Sequence, residues 1–192
     1  MKTFTIGKKK IVLKEEWMVG FITTWIVGLL AHAYRFFNFL PIWDSIYNFT
    51  GVGSTYTLGR WFLGYAGLIT SMFDLPWVNG AFSLFYISIV VILLTEMFEI
   101  KNKGMIVLCA AIFVSFPTVV SSFAYMYTAD AYLLAFLLAT LAVYLTWCVK
   151  KWGTIAGMVC LAFAMGIYQA YATVVIVLVL LYIIRQLSLI HI

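Results

Sequence analysis

Apolar runs of spanning length follow one another along most of the chain, each set off from the next by a short basic cluster. An α-helix needs about 20 consecutive apolar residues to cross the roughly 30 Å hydrocarbon core of a bilayer. Inside lipid every backbone N–H and C=O must be bonded within the protein, which leaves such runs helical. The composition agrees. The chain is 65% hydrophobic and 10% charged, against about 25% charged residues in soluble domains. A soluble chain of 192 residues has no core large enough to hide that much apolar surface. An ordinary soluble enzyme is therefore excluded, and so is a disordered chain. The 18% aromatic content suits membrane interfaces. The expected class is all-α: a polytopic transmembrane helical bundle of about six spans, with the lipid bilayer as its first partner.

The basic residues fall at Lys8–Lys10 with Lys14, at Lys101 with Lys103, and at Lys150 with Lys151. Placing them all on the cytoplasmic face, as the positive-inside rule requires, gives one topology. Trp17–Leu40 runs outward as an uncleaved anchor, Val78–Ile100 returns, Gly104–Phe123 runs outward, and Ala131–Val149 returns. Trp152–Ile184 would make a straight helix about 50 Å long, which overshoots the core. Two short spans turning at Tyr168-Gln169-Ala170-Tyr171 are expected there, the alternative being one tilted helix. The net charge of +5 is thus a topology signal, and no nucleic-acid partner is expected. Cys109, Cys148 and Cys160 sit in apolar runs without metal-ligand spacing. Neither a metal nor a cofactor is expected. Residues 1–186 read as one transmembrane domain, the N-terminal part of a larger one. Leu187–Ile192 reads as a non-native tail, which would leave His191 without meaning.

The unusual polar residues collect on the outer side. Pro41–Trp77 is too polar to span and too aromatic for a plain linker. Within it Leu58, Trp61, Phe62, Tyr65, Ile69, Met72 and Phe73 recur at helical spacing, with Arg60, Gly64, Gly67 and Ser71 opposite. This predicts an amphipathic helix lying on the outer membrane surface. Asp44 follows the first span beside Trp43, and three roles are open to it: a solvated turn acid, a partner of Arg60, or a general base facing a membrane-level cavity. Arg60 either snorkels to headgroups or holds a substrate phosphate, for which its planar fork is suited. Asp130 either caps the fourth span or adds a second acid to the same cavity. Trp43, Trp61, Asp130, Tyr168 and Gln169 are candidates for lining that cavity. Asp74 reads as a cap or turn residue, and Glu96 and Glu99 as partners of Lys101 and Lys103. Asn48-Phe49-Thr50 fits a short glycosylation pattern, and Gly153 with Gly157 a helix-packing face.

Several enzyme classes lack support. GxSxG, HExxH and GxxxxGK[ST] motifs are missing, and His32 lies inside the first span. What remains is an ordered set: Leu40-Pro41-Ile42-Trp43-Asp44-Ser45, then Leu58-Gly59-Arg60-Trp61-Phe62-Leu63, Phe116-Pro117, a Tyr-rich outer loop, and Gly166-Ile167-Tyr168-Gln169-Ala170-Tyr171. In this order and placement the chain resembles the GtrII-type glucosyltransferases of bacterial membranes, within the GT-C superfamily.

The resemblance implies a GT-C bundle in the bacterial cytoplasmic membrane. It implies a hexose, typically glucose, moved from a polyprenyl-phosphate carrier to an outer-face glycan such as O antigen. The resemblance also implies an acid in the first outer loop, here Asp44, and the Gly-Arg-Trp arginine, here Arg60. The chemistry is compatible. Attack at the anomeric carbon needs a base for the acceptor hydroxyl, which a carboxylate provides. The phosphate leaving group needs charge stabilisation, which an arginine provides. The alternative function is a non-enzymatic transporter or flippase of lipid-linked sugars, although such proteins place their broken helices and charges nearer the midplane.

Overall fold

The structure is a computed structural model that describes residues 2–6, 9–47, 57–70, 72–149 and 151–190. The chain opens with an antiparallel hairpin, β1 (Lys2–Ile6) and β2 (Lys9–Leu13), Lys2 lying opposite Leu13. The sequence reading had no strand there. Nine helices follow among the described residues: α1 (Glu15–Phe37), α2 (Trp43–Tyr47), α3 (Leu63–Ala66), α4 (Pro76–Met97), α5 (Lys103–Ser115), α6 (Pro117–Ser122), α7 (Met126–Cys148), α8 (Gly153–Ile167) and α9 (Tyr171–Ile190).

The helix starts are written locally. Pro76 and Pro117 occupy the first positions of α4 and α6, where a missing N–H costs nothing. Asn102 caps α5 by accepting from the Met105 N–H at 3.2 Å. Phe116, ahead of a proline, is extended, so α5 and α6 form one bent limb where the sequence suggested a straight span. A 3-10 turn, Phe123–Tyr125, reverses the chain into α7.

Small residues set the packing. Gly20 meets Val91 and Gly28 meets Leu84, which aligns α1 antiparallel to α4. α7 lies at the centre against α4, α8 and α9. Its Ala129, Ala131, Ala135, Ala139 and Ala142 are buried. α8 approaches through Gly153 and Gly157. A Cβ at Gly157 would stand 2.6 Å from the Ala142 carbonyl oxygen, and one at Gly153 even closer to that of Leu145. The expected Gly153–Gly157 face is therefore the α7–α8 contact. Phe36, Leu84, Ile87, Val114, Phe123 and Met126 fill the main core cluster.

Among the described residues four helical stretches are long and apolar enough to cross a membrane: Glu15–Phe37, Pro76–Met97, Lys103–Cys148 and Tyr171–Ser188. The third comprises the α5–α6 limb and α7, joined at the 3-10 turn. With the shorter apolar α8, the chain passes six times between two rims, and the break at Tyr168–Ala170 divides α8 from α9 as expected. The protein is an all-α membrane bundle.

One rim is basic and knitted by ion pairs. Lys14 meets Glu96 at 2.6 Å, Lys103 meets Glu15 at 2.5 Å, and Arg185 meets Glu99 at 2.9 Å. Glu96 and Glu99 pair as anticipated, but with Lys14 and Arg185 rather than with their sequence neighbours. The opposite rim holds α2, α3, the start of α7 and the α8–α9 turn.

The predicted surface helix over Leu58–Phe73 is not continuous. Among its described residues only Leu63–Ala66 is helical, and the others lie in turns or irregular backbone. Gly59, Gly64 and Gly67 disfavour a helix interior, and Met72 takes a left-handed φ of 54° that ends any helical run. Leu63 and Ala66 are buried, with Phe62 and Met72 packed beside them, while Leu58, Tyr65, Leu68 and Ile69 stay exposed. The Asn48 pattern, the Thr50–Thr55 stretch, Ser71 and His191 lie outside the described residues.

Candidate functional site

Two segments more than a hundred positions apart meet on the rim opposite the basic clusters. Gly59 has φ +74°, and a Cβ there would collide with the Gln169 Nε2. That amide donates to the Leu58 carbonyl at 2.8 Å. The Phe62 N–H donates to the Gly166 carbonyl at 2.8 Å. A Cβ on Gly166 would stand 2.5 Å from the Trp61 ring, which also packs on Phe163. The pieces Leu58-Gly59-Arg60-Trp61 and Gly166-Ile167-Tyr168-Gln169 are thus one unit, and its glycines are required by backbone shape and close approach.

This unit aims Arg60. Its guanidinium lies 4.6 Å from the centroid of the Tyr168 ring, a cation–π contact. One of its N–H groups donates to the Tyr132 hydroxyl at 3.4 Å. The Tyr132 and Tyr168 rings are themselves 5.5 Å apart. Among the described residues no carboxylate forms an ion pair with Arg60. A guanidinium fork seated on an aromatic face is chemically suited to an anionic oxygen.

Asp44 stands exposed in the first turn of α2. Ser45, buried, closes that turn: its hydroxyl donates to the Ile42 carbonyl at 2.8 Å and accepts from the Ile42 N–H at 3.1 Å. Asp44 and Arg60 both lie close enough to Tyr127 to act on its hydroxyl electrostatically, and Tyr127 is in the first turn of α7. A direct pair between Asp44 and Arg60, one of the three roles open to Asp44, is not formed. Trp43 is 74% exposed and Trp61 is 44% exposed, so each only edges the site. Tyr168 is half-buried beneath Arg60, and Gln169 is exposed at the turn.

Asp130 is 2% exposed and sits in the second turn of α7, past the capping position. Its carboxylate accepts from the Thr70 hydroxyl at 3.0 Å and from the Asn79 amide at 3.2 Å. Asn79 in turn accepts from the Leu75 N–H at 3.0 Å. Asp130 therefore anchors the 70–79 segment to α7, with both oxygens engaged. Asp74 does not cap α4: both its oxygens are buried without a hydrogen-bond partner.

An apolar groove of about 500 Å³ lies between the α5–α6 limb, α7 and α9. Phe113, Phe136, Val174 and Leu178 line its body, and Thr118, Ser122 and Thr173 add hydroxyls. Tyr171 forms part of its wall and meets Tyr168 edge-on at 6.2 Å. The groove therefore adjoins the Arg60 platform. Among the described residues no group of three His, Cys, Asp or Glu is placed to hold a metal ion.

The model of the glucosyl transferase GtrII family matches residues 33–189. The chain belongs to the GtrII glucosyl transferase family. Its activity class is accordingly glycosyl transfer, carried on a membrane bundle. The match spans every residue placed at this rim, from Arg35 to Gln169. Comparison with curated proteins and with solved structures gave no match. Within the GtrII chain, sequence reasoning missed Arg35, Thr70, Asn79 and Tyr132. Arg35 and Asn79 carried a usable signal, as strongly polar residues inside or at the edge of an apolar run. Thr70 and Tyr132 carried none.

Proposed function

We propose that this chain binds a polyprenyl-phosphate-linked hexose, most simply glucose, and transfers the sugar to an extracytoplasmic glycan such as O antigen or another surface polysaccharide. The observation that carries this is Arg60, held on Tyr168 by the Gly59–Gln169 and Gly166–Trp61 contacts, with no carboxylate partner among the described residues. The donor phosphate sits against its guanidinium. The apolar groove beside Tyr171 takes the isoprenoid chain. The basic rim faces the cytoplasm by the positive-inside rule, so Arg60 and Asp44 face outward from a bacterial cytoplasmic membrane.

Asp44 is the general base. The acceptor hydroxyl attacks the anomeric carbon, its proton passes to the Asp44 carboxylate, and the bond from that carbon to the phosphate oxygen breaks. Arg60 stabilises the charge that grows on the departing polyprenyl phosphate. No acid is needed on the leaving side, because a phosphate departs as an anion. Residues 1–186 act as the donor-binding part of a GT-C-type domain.

In vitro transfer from polyprenyl-phosphate glucose by the lipid-embedded enzyme tests this. Asp44→Asn keeps size and polarity but accepts no proton. It is expected to lower turnover about 10²–10⁴-fold while donor binding persists. Turnover near wild type would remove Asp44 from the mechanism.

A further inference from the structure

Arg35 lies in the last turn of α1, inside an apolar run, where an arginine is costly unless its donors and charge are used. Every nitrogen of its guanidinium is committed. The Nε–H donates to the Phe123 carbonyl at 2.8 Å. One terminal nitrogen donates to the Ala124 carbonyl at 3.0 Å, and the other to the Leu40 carbonyl. The charged group acting on it is Asp74, whose buried oxygens find no hydrogen bond of their own. Arg35 thus differs from Arg60: backbone carbonyls occupy its fork.

The three carbonyls belong to two segments that matter for transfer. Leu40 lies in the link from α1 to α2, and α2 begins at Trp43 with Asp44 as its second residue. Phe123 and Ala124 belong to the 3-10 turn that leads into α7. α7 carries Tyr127, on which both Asp44 and Arg60 act, and Tyr132, which bonds Arg60. One side chain therefore ties the approach to Asp44 to the helix that supports Arg60.

We propose that Arg35 is a positioning residue for the transfer reaction: its three-carbonyl clamp holds Asp44 at working distance from a donor bound at Arg60. This rests on the reading of Asp44 as the base. A displacement of about 1 Å at a reacting group costs on the order of 10²-fold in rate, so loss of the clamp acts on kcat and leaves donor affinity, set by Arg60, in place.

The test is a double-variant cycle in the lipid-embedded enzyme, with polyprenyl-phosphate glucose as donor and isolated surface polysaccharide as acceptor. Arg35→Gln is expected to lower kcat roughly 10- to 100-fold with donor KM within about twofold of wild type. The double variant Arg35→Gln with Asp44→Asn is expected to be no slower than Asp44→Asn alone, because Arg35 acts through Asp44. Arg35→Lys keeps charge beside Asp74 but loses the fork, and should fall between wild type and Arg35→Gln. A second measurement is spared any loss of activity. Nitroxides at positions 42 and 125, in a background without the three cysteines, should give a narrow distance distribution that Arg35→Gln broadens. Losses that multiply in the double variant, or an unchanged distance distribution, would overturn the clamp while leaving Asp44 as base. A fully active Asp44→Asn would instead overturn the base, and the distance measurement alone would then decide the clamp.

Discussion

The two rims of this bundle use their charges in opposite ways. On the basic rim Lys14, Lys103 and Arg185 each find a carboxylate within 3 Å. Those pairs join α1 to α4, α5 to α1, and α9 to the end of α4. On the opposite rim Asp130 is spent on Thr70 and Asn79, and Arg35 on three carbonyls with Asp74 nearby. Among the described residues Arg60 and Asp44 form no ion pair. On the function proposed above, the difference separates charge used for assembly from charge left for a ligand. A cation that already has its counter-ion offers little to a phosphate. One seated on a tyrosine face offers most of its field.

Removing a carboxylate from each rim gives the sharpest contrast. Asp44→Asn is expected to raise the transfer barrier by about 3–5.5 kcal/mol. Glu99→Gln, on the basic rim, should leave single-turnover transfer close to wild type. Equal losses at the two sites would erase the distinction between the rims.

Next come the glycines that bring distant segments together. At Gly157 the obstacle is backbone, so Gly157→Ala must push α8 away from α7 and should cost about 1–3 kcal/mol in unfolding free energy. Gly59→Ala carries about 1–2 kcal/mol of left-handed strain and displaces Gln169. It should therefore lower donor affinity as well, whereas Gly157→Ala should lower stability chiefly. Thermal unfolding in parallel with donor titration distinguishes them.

The smallest effect belongs to the basic rim. Lys14→Ala breaks a half-exposed pair and should cost at most about 1 kcal/mol, further reduced by salt. Orientation sharpens the same comparison. Cysteines placed at the exposed Lys101 and Gln169 should be labelled from opposite sides of the membrane, Lys101→Cys from the cytoplasmic side. Labelling of both from one side would undo the assignment of the rims.

The bundle was readable because its cause is local. Apolar runs and basic clusters act over a few residues, and the turn at Tyr168-Gln169 announced itself by polarity, whereas the bend at Pro117 was not anticipated. The surface helix is interrupted for a local reason: three glycines in a nine-residue stretch outvote a helical period. The partners of Arg60 could not be read. Tyr132 and Tyr168 reach it only because α7 and α8 pack through Ala142, Gly153 and Gly157, a tertiary fact. The same holds for Asp130, whose position near a helix start suggested a cap, while packing turned it inward to Thr70 and Asn79.

Donor binding addresses the division between the rims most directly. Equilibrium binding of polyprenyl-phosphate glucose to the lipid-embedded enzyme would be compared for wild type, Arg60→Gln and Arg185→Gln. Hydrogen bonds to a charged group are worth about 1.5–3 kcal/mol. Arg60→Gln should thus weaken binding roughly 10- to 150-fold, and Arg185→Gln, whose charge is already paired with Glu99, should bind as wild type does. Unchanged affinity in Arg60→Gln, or a comparable loss in Arg185→Gln, would contradict the account.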